Sequence, residues 1–197
     1  MINPLGRDAQ DQILLGAQSA NRFLDKDVSD TLLKQLYDLM KWGPTSMNCQ
    51  STHLLFIKGS QSKQRLQASL LPGNQAKTLA APVTVIVASD LGFYHHMPEQ
   101  FPVMPNAKQM FEGNEALRLS TAFRNSSLQG AYLIMAARML GLSCGPMSGF
   151  DNALLDSEFF PDGRYQSNFL INLGYGDDEG NHPRGPRLSF DQIAKII

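Results

Sequence analysis

The sequence predicts a mixed α/β chain folded around a small sheet, on three observations. Residues 53–58 (HLLFIK), 83–88 (VTVIVA) and 168–173 (NFLINL) are short apolar runs bounded by turn residues, as buried strands are. The stretches between them carry apolar residues at helical spacing. Finally, 43% hydrophobic and 18% charged residues over 197 positions is a globular composition with enough chain for a sizeable core. No repeat or linker divides it, so one domain is expected over residues 1–197. Strands alternating with helices suggest, by themselves, a parallel sheet.

In chain order, Ser29 is a good N-cap for a helix carrying Leu32, Leu33, Leu36, Tyr37, Leu39 and Met40, which Gly43 and Pro44 stop. Residues 44–50 (PTSMNCQ) then hold more hydrogen-bonding side chains than a turn needs. The first strand follows, then a helix over 61–71 that Pro72-Gly73 breaks. After the second strand, residues 91–112 set prolines 98, 102 and 105 among Phe93, Tyr94, Met97, Phe101, Met104 and Phe111. That is an irregular segment with apolar anchors, more like a lid than a linker. Residues 116–142 read as a long helix whose second half is apolar nearly all round, interrupted by Arg138; it belongs in the middle of the protein or at an interface. Asp151 caps a short helix, the third strand comes next, and Ser189 with Gln192 has the spacing of a capping box.

Several function classes drop out. A net charge of −1 without a basic block argues against nucleic acid or an acidic membrane surface as partner. Cys49 and Cys144 form no CxxC, the N-terminus lacks an apolar signal core, and no run nears the ~20 apolar residues of a span. A soluble, cytoplasmic protein is expected. Cys49 and His53 lack a third group to orient a nucleophile, adjacent His95 and His96 point apart, and no Ser-His-Asp set is visible, so no metal site is expected. Gly174-Tyr175-Gly176 follows a strand but opens no helix, which excludes a dinucleotide fingerprint. What remains is four polar clusters at element ends: residues 44–48, residues 73–77 with Asn74 and Lys77 three apart, the glycine-bounded loop 145–149, and Arg184 with Arg187. Together they could cradle a large polar ligand with an anionic tail.

That set, in that order, resembles the nitroreductase family of FMN flavoproteins over most of the chain. Residues 17–23 (AQSANRF) stand where the family has an Arg/Ser/Arg cluster before an aromatic. Residues 44–50 match its Pro-Ser-x-x-Asn-x-Gln loop, Asn74 and Lys77 its Asn-x-x-Lys, and residues 146–151 (PMSGFD) its Pro-x-x-Gly-Phe-Asp loop. The helix ending at Gly141-Leu142 and the late basic residue Arg187 complete the match. More closely, "MKWGPTS", "FRNSS" and "GPMSGFD" look like the malonic semialdehyde reductase (3-hydroxypropionate dehydrogenase-like) subfamily of pyrimidine utilisation.

The resemblance implies an α+β three-layer sandwich, with a small, mixed, mainly antiparallel sheet flanked by helices, in place of the parallel sheet. It implies an intertwined homodimer with FMN at the subunit interface. Pro44, Thr45, Ser46 and Asn48 would reach the partner's flavin. Asn74 and Lys77 would bond the ring edge and ribityl chain, backbone N–H groups of Ser148 and Gly149 would face N5, and Ser19, Asn21, Arg184 and Arg187 would serve the ribityl and phosphate end. Ala17 and Gln18 depart from the family, which often has arginine there. NADH or NADPH would deliver hydride to N5 and the substrate would take it up from the same face, so no catalytic side chain is named. The implied reaction is reduction of malonic semialdehyde to 3-hydroxypropionate, with Arg124 as a cation for the substrate carboxylate or, alternatively, in a helix-end salt bridge. A broad-specificity nitroreductase or quinone reductase, and a non-catalytic flavin-binding protein, stand as alternatives.

Overall fold

A computed structural model of the chain describes residues 3–197. Among them β1 (Thr52–Ile57), β2 (Val83–Asp90), β3 (Ser143–Met147) and β4 (Tyr165–Gly174) form one sheet in the order β1-β2-β4-β3, every neighbouring pair antiparallel. The helices are α1 (Arg7–Gln10), which continues into a π-helical turn (Asp11–Leu15), α2 (Asp30–Met40), α3 (Ser60–Gln67), α4 (Pro72–Ala80), α5 (Met97–Gln100), α6 (Ala107–Glu112), α7 (Glu115–Met139), α8 (Asn152–Phe159) and α9 (Phe190–Ile193).

Helices cover both faces of the sheet, so every residue of β2 is buried. Val83, Val85 and Val87 pack with Leu33, Leu36 and Met40 of α2 and Leu133 and Ala136 of α7. Ile86 and Ala88 join the other cluster, with Leu66 of α3 and Leu155 of α8. The parallel sheet suggested by the strand–helix alternation is therefore wrong, and the α+β antiparallel sheet is what forms. The misleading signal has a physical cause: strands covered on both faces read as unbroken apolar runs, the usual mark of parallel sheets.

β3 lay where a loop was expected. It is an edge strand, the place that tolerates Pro146 without its N–H. Residues 19–20 run alongside it: Ser19 bridges Cys144 in parallel and the Ala20 N–H donates to the Cys144 carbonyl at 2.9 Å. A Cβ at Gly145 would press on the Ala20 carbonyl, so glycine allows that approach.

The expected caps are present. Ser29 Oγ accepts from the Leu32 N–H at 3.2 Å, Asp151 Oδ1 from the Leu154 N–H at 3.0 Å, and Gln192 Oε1 from the Ser189 N–H at 2.9 Å. Pro72 does not simply break a helix: α3 ends at Gln67, and Pro72 opens α4, where its missing N–H is not needed. Residues 91–112 fold as short helical turns that bury Phe93, Met97, Ala107 and Phe111 against Cys49 and Ala122, a small core of their own.

Candidate functional site

α4 carries Asn74 and Lys77 and is fixed along its length. Asn74 Nδ2 donates to the Gly149 carbonyl at 2.8 Å, and the Leu71 N–H donates to the same oxygen at 3.1 Å. A Cβ at position 149 would run into the Asn74 amide, so this loop must have glycine there. Further along, Thr78 Oγ1 accepts from Asn172 Nδ2 at 3.2 Å, and Asn172 Oδ1 accepts from Thr84 Oγ1 at 2.8 Å. This buried polar chain ties α4 to β4 and β2. The Thr78 carbonyl also accepts from Lys63 Nζ at 2.9 Å; Lys63 is 4% exposed, and burial lowers its pKa to about 8.

Three clefts share lining residues, and the first of them is bordered by α4. The first, about 530 Å³, is lined by Lys77, Gly73, Asn21 and Phe23. The second, about 400 Å³, is lined by Ser19, Asn21, Arg138, Arg184 and Arg187. The third, about 810 Å³, is lined by Gln12, Gln18, Arg138 and Ser143. Asn21 joins the first to the second, Arg138 the second to the third, and His182 lines all three. Ser19, Asn21, Arg184 and Arg187, expected from the sequence at one end of a cofactor, thus share a cleft, with Lys77 next door. Ser148 is exposed on the loop that Asn74 holds through Gly149.

The charge pattern along these clefts is one-sided. Among the described residues Lys77, Arg138, Arg184 and Arg187 have no carboxylate partner, as is also true of Lys26, Lys34, Lys63, Lys108, Arg124 and Lys195, but only here do such cations line clefts that share residues and hold no Asp or Glu in their walls. Arg184 Nη2 donates to the Leu14 carbonyl at 2.8 Å and Arg138 Nη1 to the Ile13 carbonyl at 2.9 Å, satisfying orphan acceptors at the end of the π-helical turn. Arg187 Nη1 bonds its own arm, at the carbonyls of Gly185 (2.9 Å) and Pro186 (3.1 Å). Neighbouring cations without counter-charges repel one another, so the arrangement favours an anion. Sequence reasoning passed over His182 and treated Arg138 only as an interruption. The usable signal was that a charge in an apolar helix needs a partner.

Residues 44–48 lie elsewhere. They lead into β1, at the opposite edge of the sheet from β3, and line none of the three clefts. Their backbone is unusual: Met47 (φ 51°), Asn48 (φ 51°) and Gln50 (φ 42°) are left-handed, a conformation that persists only when surroundings impose it. Here α7 does so. Buried Asn125 accepts the Ser46 N–H at 2.8 Å, and Tyr132 Oη donates to the Pro44 carbonyl at 3.0 Å. Thr45 Oγ1 accepts the Gln50 N–H at 3.2 Å, and Asn48 Nδ2 donates to the Gln100 carbonyl at 2.9 Å, so part of the loop's polar content braces the loop itself.

Arg124 sits in the middle of α7, exposed and without an ion pair among the described residues, so the helix-end salt bridge does not form. Cys49 is buried, which raises its pKa, while His53 stacks on Tyr165 at 4.0 Å and burial lowers its pKa. Among the described residues no group of three His, Cys, Asp or Glu could hold a metal, and no helix is long and apolar enough to cross a membrane.

Fold and clefts together define a class: an antiparallel α+β protein with clefts lined by cations along one side. The chain belongs to the nitroreductase family, which it matches over residues 15–175. It is 54% identical over 195 residues to a Burkholderia lata protein provisionally named NADH dehydrogenase/NAD(P)H nitroreductase, covering 99% of this chain and 100% of that one. A Xanthomonas oryzae protein of the same provisional name is 51% identical over 196 residues, covering 100% of each. Among solved structures, a provisionally assigned nitroreductase from Exiguobacterium sibiricum in complex with FMN has a TM-score of 0.83 at 19% identity, covering 100% of each chain. Another, from Bacillus subtilis, has a TM-score of 0.88 at 19% identity over 98% of this chain and 100% of that one. At such identity the likeness to solved structures is one of fold.

Proposed function

We propose that the chain is an FMN-dependent NAD(P)H oxidoreductase that works as a homodimer and reduces a small carboxylated aldehyde, malonic semialdehyde to 3-hydroxypropionate. The observation that carries the cofactor is the run of joined clefts with four cations lacking carboxylate partners. The cleft residues fit a flavin mononucleotide: Ser19, Asn21, Arg184 and Arg187 suit the phosphate and ribityl chain and Lys77 the ring edge, while Asn74, Ser148 and Gly149, which line none of the three clefts, are assigned to the ring on the family resemblance alone. The FMN held by the Exiguobacterium relative supports the same choice. The chemistry such a cofactor supplies is relay of a hydride from NADH or NADPH to a substrate. The chain's share is binding and electrostatics. α4, tied to the sheet through Thr78, keeps Lys77 in place, and its ammonium favours negative charge developing beside it.

Two features favour a homodimer. The strained, heavily braced loop with Pro44, Thr45, Ser46 and Asn48 stands away from the clefts, as a contribution to a partner's site would. Leu119, Phe123 and Leu128 on the outer face of α7, with Ile193, Ile196 and Ile197 at the C-terminus, are exposed apolar surface of the kind interfaces cover.

Arg124 favours an acidic substrate: its charge is uncompensated, and it precedes Asn125, which holds the Ser46 backbone. A second reading, a broad-specificity nitroreductase or quinone reductase, is favoured by the names of the relatives and by exposed Phe123 beside Arg124. Stopped-flow reoxidation of the reduced protein by malonic semialdehyde, a nitroaromatic and a quinone separates the two. The aldehyde is expected to react fastest and to slow about tenfold in Arg124→Ala, with the quinone unaffected. Faster nitroaromatic turnover with no effect of Arg124→Ala replaces the first reading by the second. A colourless protein that FMN cannot reconstitute sinks both.

A further inference from the structure

We propose that Arg138, at the C-terminal end of α7, is a phosphate ligand of the flavin nucleotide and supplies the charge that Ala17 and Gln18 cannot. The assignment rests on the FMN reading above. Arg138 lines the second cleft together with Ser19, Arg184 and Arg187, and shares its wall with Ala17 and Gln18. Its charge acts on the Cys144 thiol, opposing the effect of burial there, and Cys144 is the residue bridged to Ser19. The guanidinium therefore lies next to the segment expected to meet the phosphate.

Its surroundings suit an anion. Arg138 is half-buried, permanently charged and without a carboxylate among the described residues, a combination that is unfavourable unless a counter-charge completes it. One donor is engaged at the Ile13 carbonyl, while Gln12 Nε2 donates to the Arg138 carbonyl at 2.7 Å. These bonds hold both ends of the residue, so the planar donor fork is fixed at one nitrogen in a side chain that lines the cleft. A fork held in place loses less freedom on meeting a phosphate than a lysine would. Arg187, by contrast, bonds the backbone of its own arm. The competing account gives Arg138 a purely structural task, pinning the Ile13 carbonyl and complementing the helix dipole at the end of α7.

Titration of the full-length protein with FMN and with riboflavin, followed by flavin fluorescence, distinguishes these accounts. Arg138→Gln should weaken FMN roughly 10- to 100-fold and leave riboflavin within about twofold. Arg138→Lys keeps the charge but loses the fork, and should show a smaller loss, again confined to FMN. Inorganic phosphate should compete with FMN on the wild type and do so less well on Arg138→Lys, which keeps the test decisive should the glutamine variant fail to fold. Equal losses for both flavins, or unchanged FMN affinity, overturn the assignment in favour of the structural role. A wild type that binds neither flavin overturns the FMN reading itself, and this assignment with it.

Discussion

At pH 7 the Lys63 ammonium is buried with the Thr78 carbonyl as its partner, and burial has moved its pKa from 10.5 to about 8. The sign follows from the lowered value: the fold prefers the neutral amine, so protonation costs stability. That cost is absent above pH 10.5, grows as pH falls towards 8, and is complete below 8. Lys63→Met should therefore raise stability by about 1–3 kcal/mol at pH 7, with the gain fading towards pH 10, in urea titrations at both values. The thiols present the opposite case. Burial pushes Cys144 up to about 12 and also raises Cys49, so neither is a thiolate at neutral pH. Native protein incubated with iodoacetamide at pH 7.5 should remain unmodified by mass spectrometry until urea unfolds it. Early labelling of Cys49 would show that the 44–50 loop opens.

The loop before β1 shows how one element depends on another. Its left-handed residues stay in place because Asn125, buried in α7, accepts the Ser46 N–H. Asn125→Ala should lower stability by about 1–3 kcal/mol, measured by thermal denaturation, because a backbone donor loses its partner as the strain remains. An unchanged melting temperature would mean that Tyr132 and Gln100 suffice. None of this bracing was legible in the sequence, although the surplus of polar side chains over 44–50 was. Helix starts were readable because Ser29 and Asp151 act on residues three positions away. β2 and β4 were readable as apolar runs, but not their direction, which distant pairing sets. β3 was missed because Gly145 and Pro146 signal a turn everywhere except on a sheet edge. The residue types of the candidate site stood out singly, whereas their grouping did not. Arg138 meets Ser19, Arg184 and Arg187 only because α7 ends beside the segment that runs along β3.

For the whole molecule, the proposed homodimer should sediment as one species at micromolar concentration, with an interface of roughly 2,000 Å² or more. A monomer that retains FMN would remove residues 44–48 from the site. The distance between that loop and the clefts, at opposite sheet edges of one chain, has a genetic consequence. Consider one variant disabled in the loop, by several substitutions over 44–48, and another disabled in the clefts, by Lys77→Ala with Arg187→Ala. Each alone gives dimers in which both sites are spoiled. When the two chains pair, both defects fall in the same site, and the other is assembled wholly from intact surfaces. Two dead alleles expressed together should thus complement, restoring about a quarter of wild-type sites if the chains mix at random.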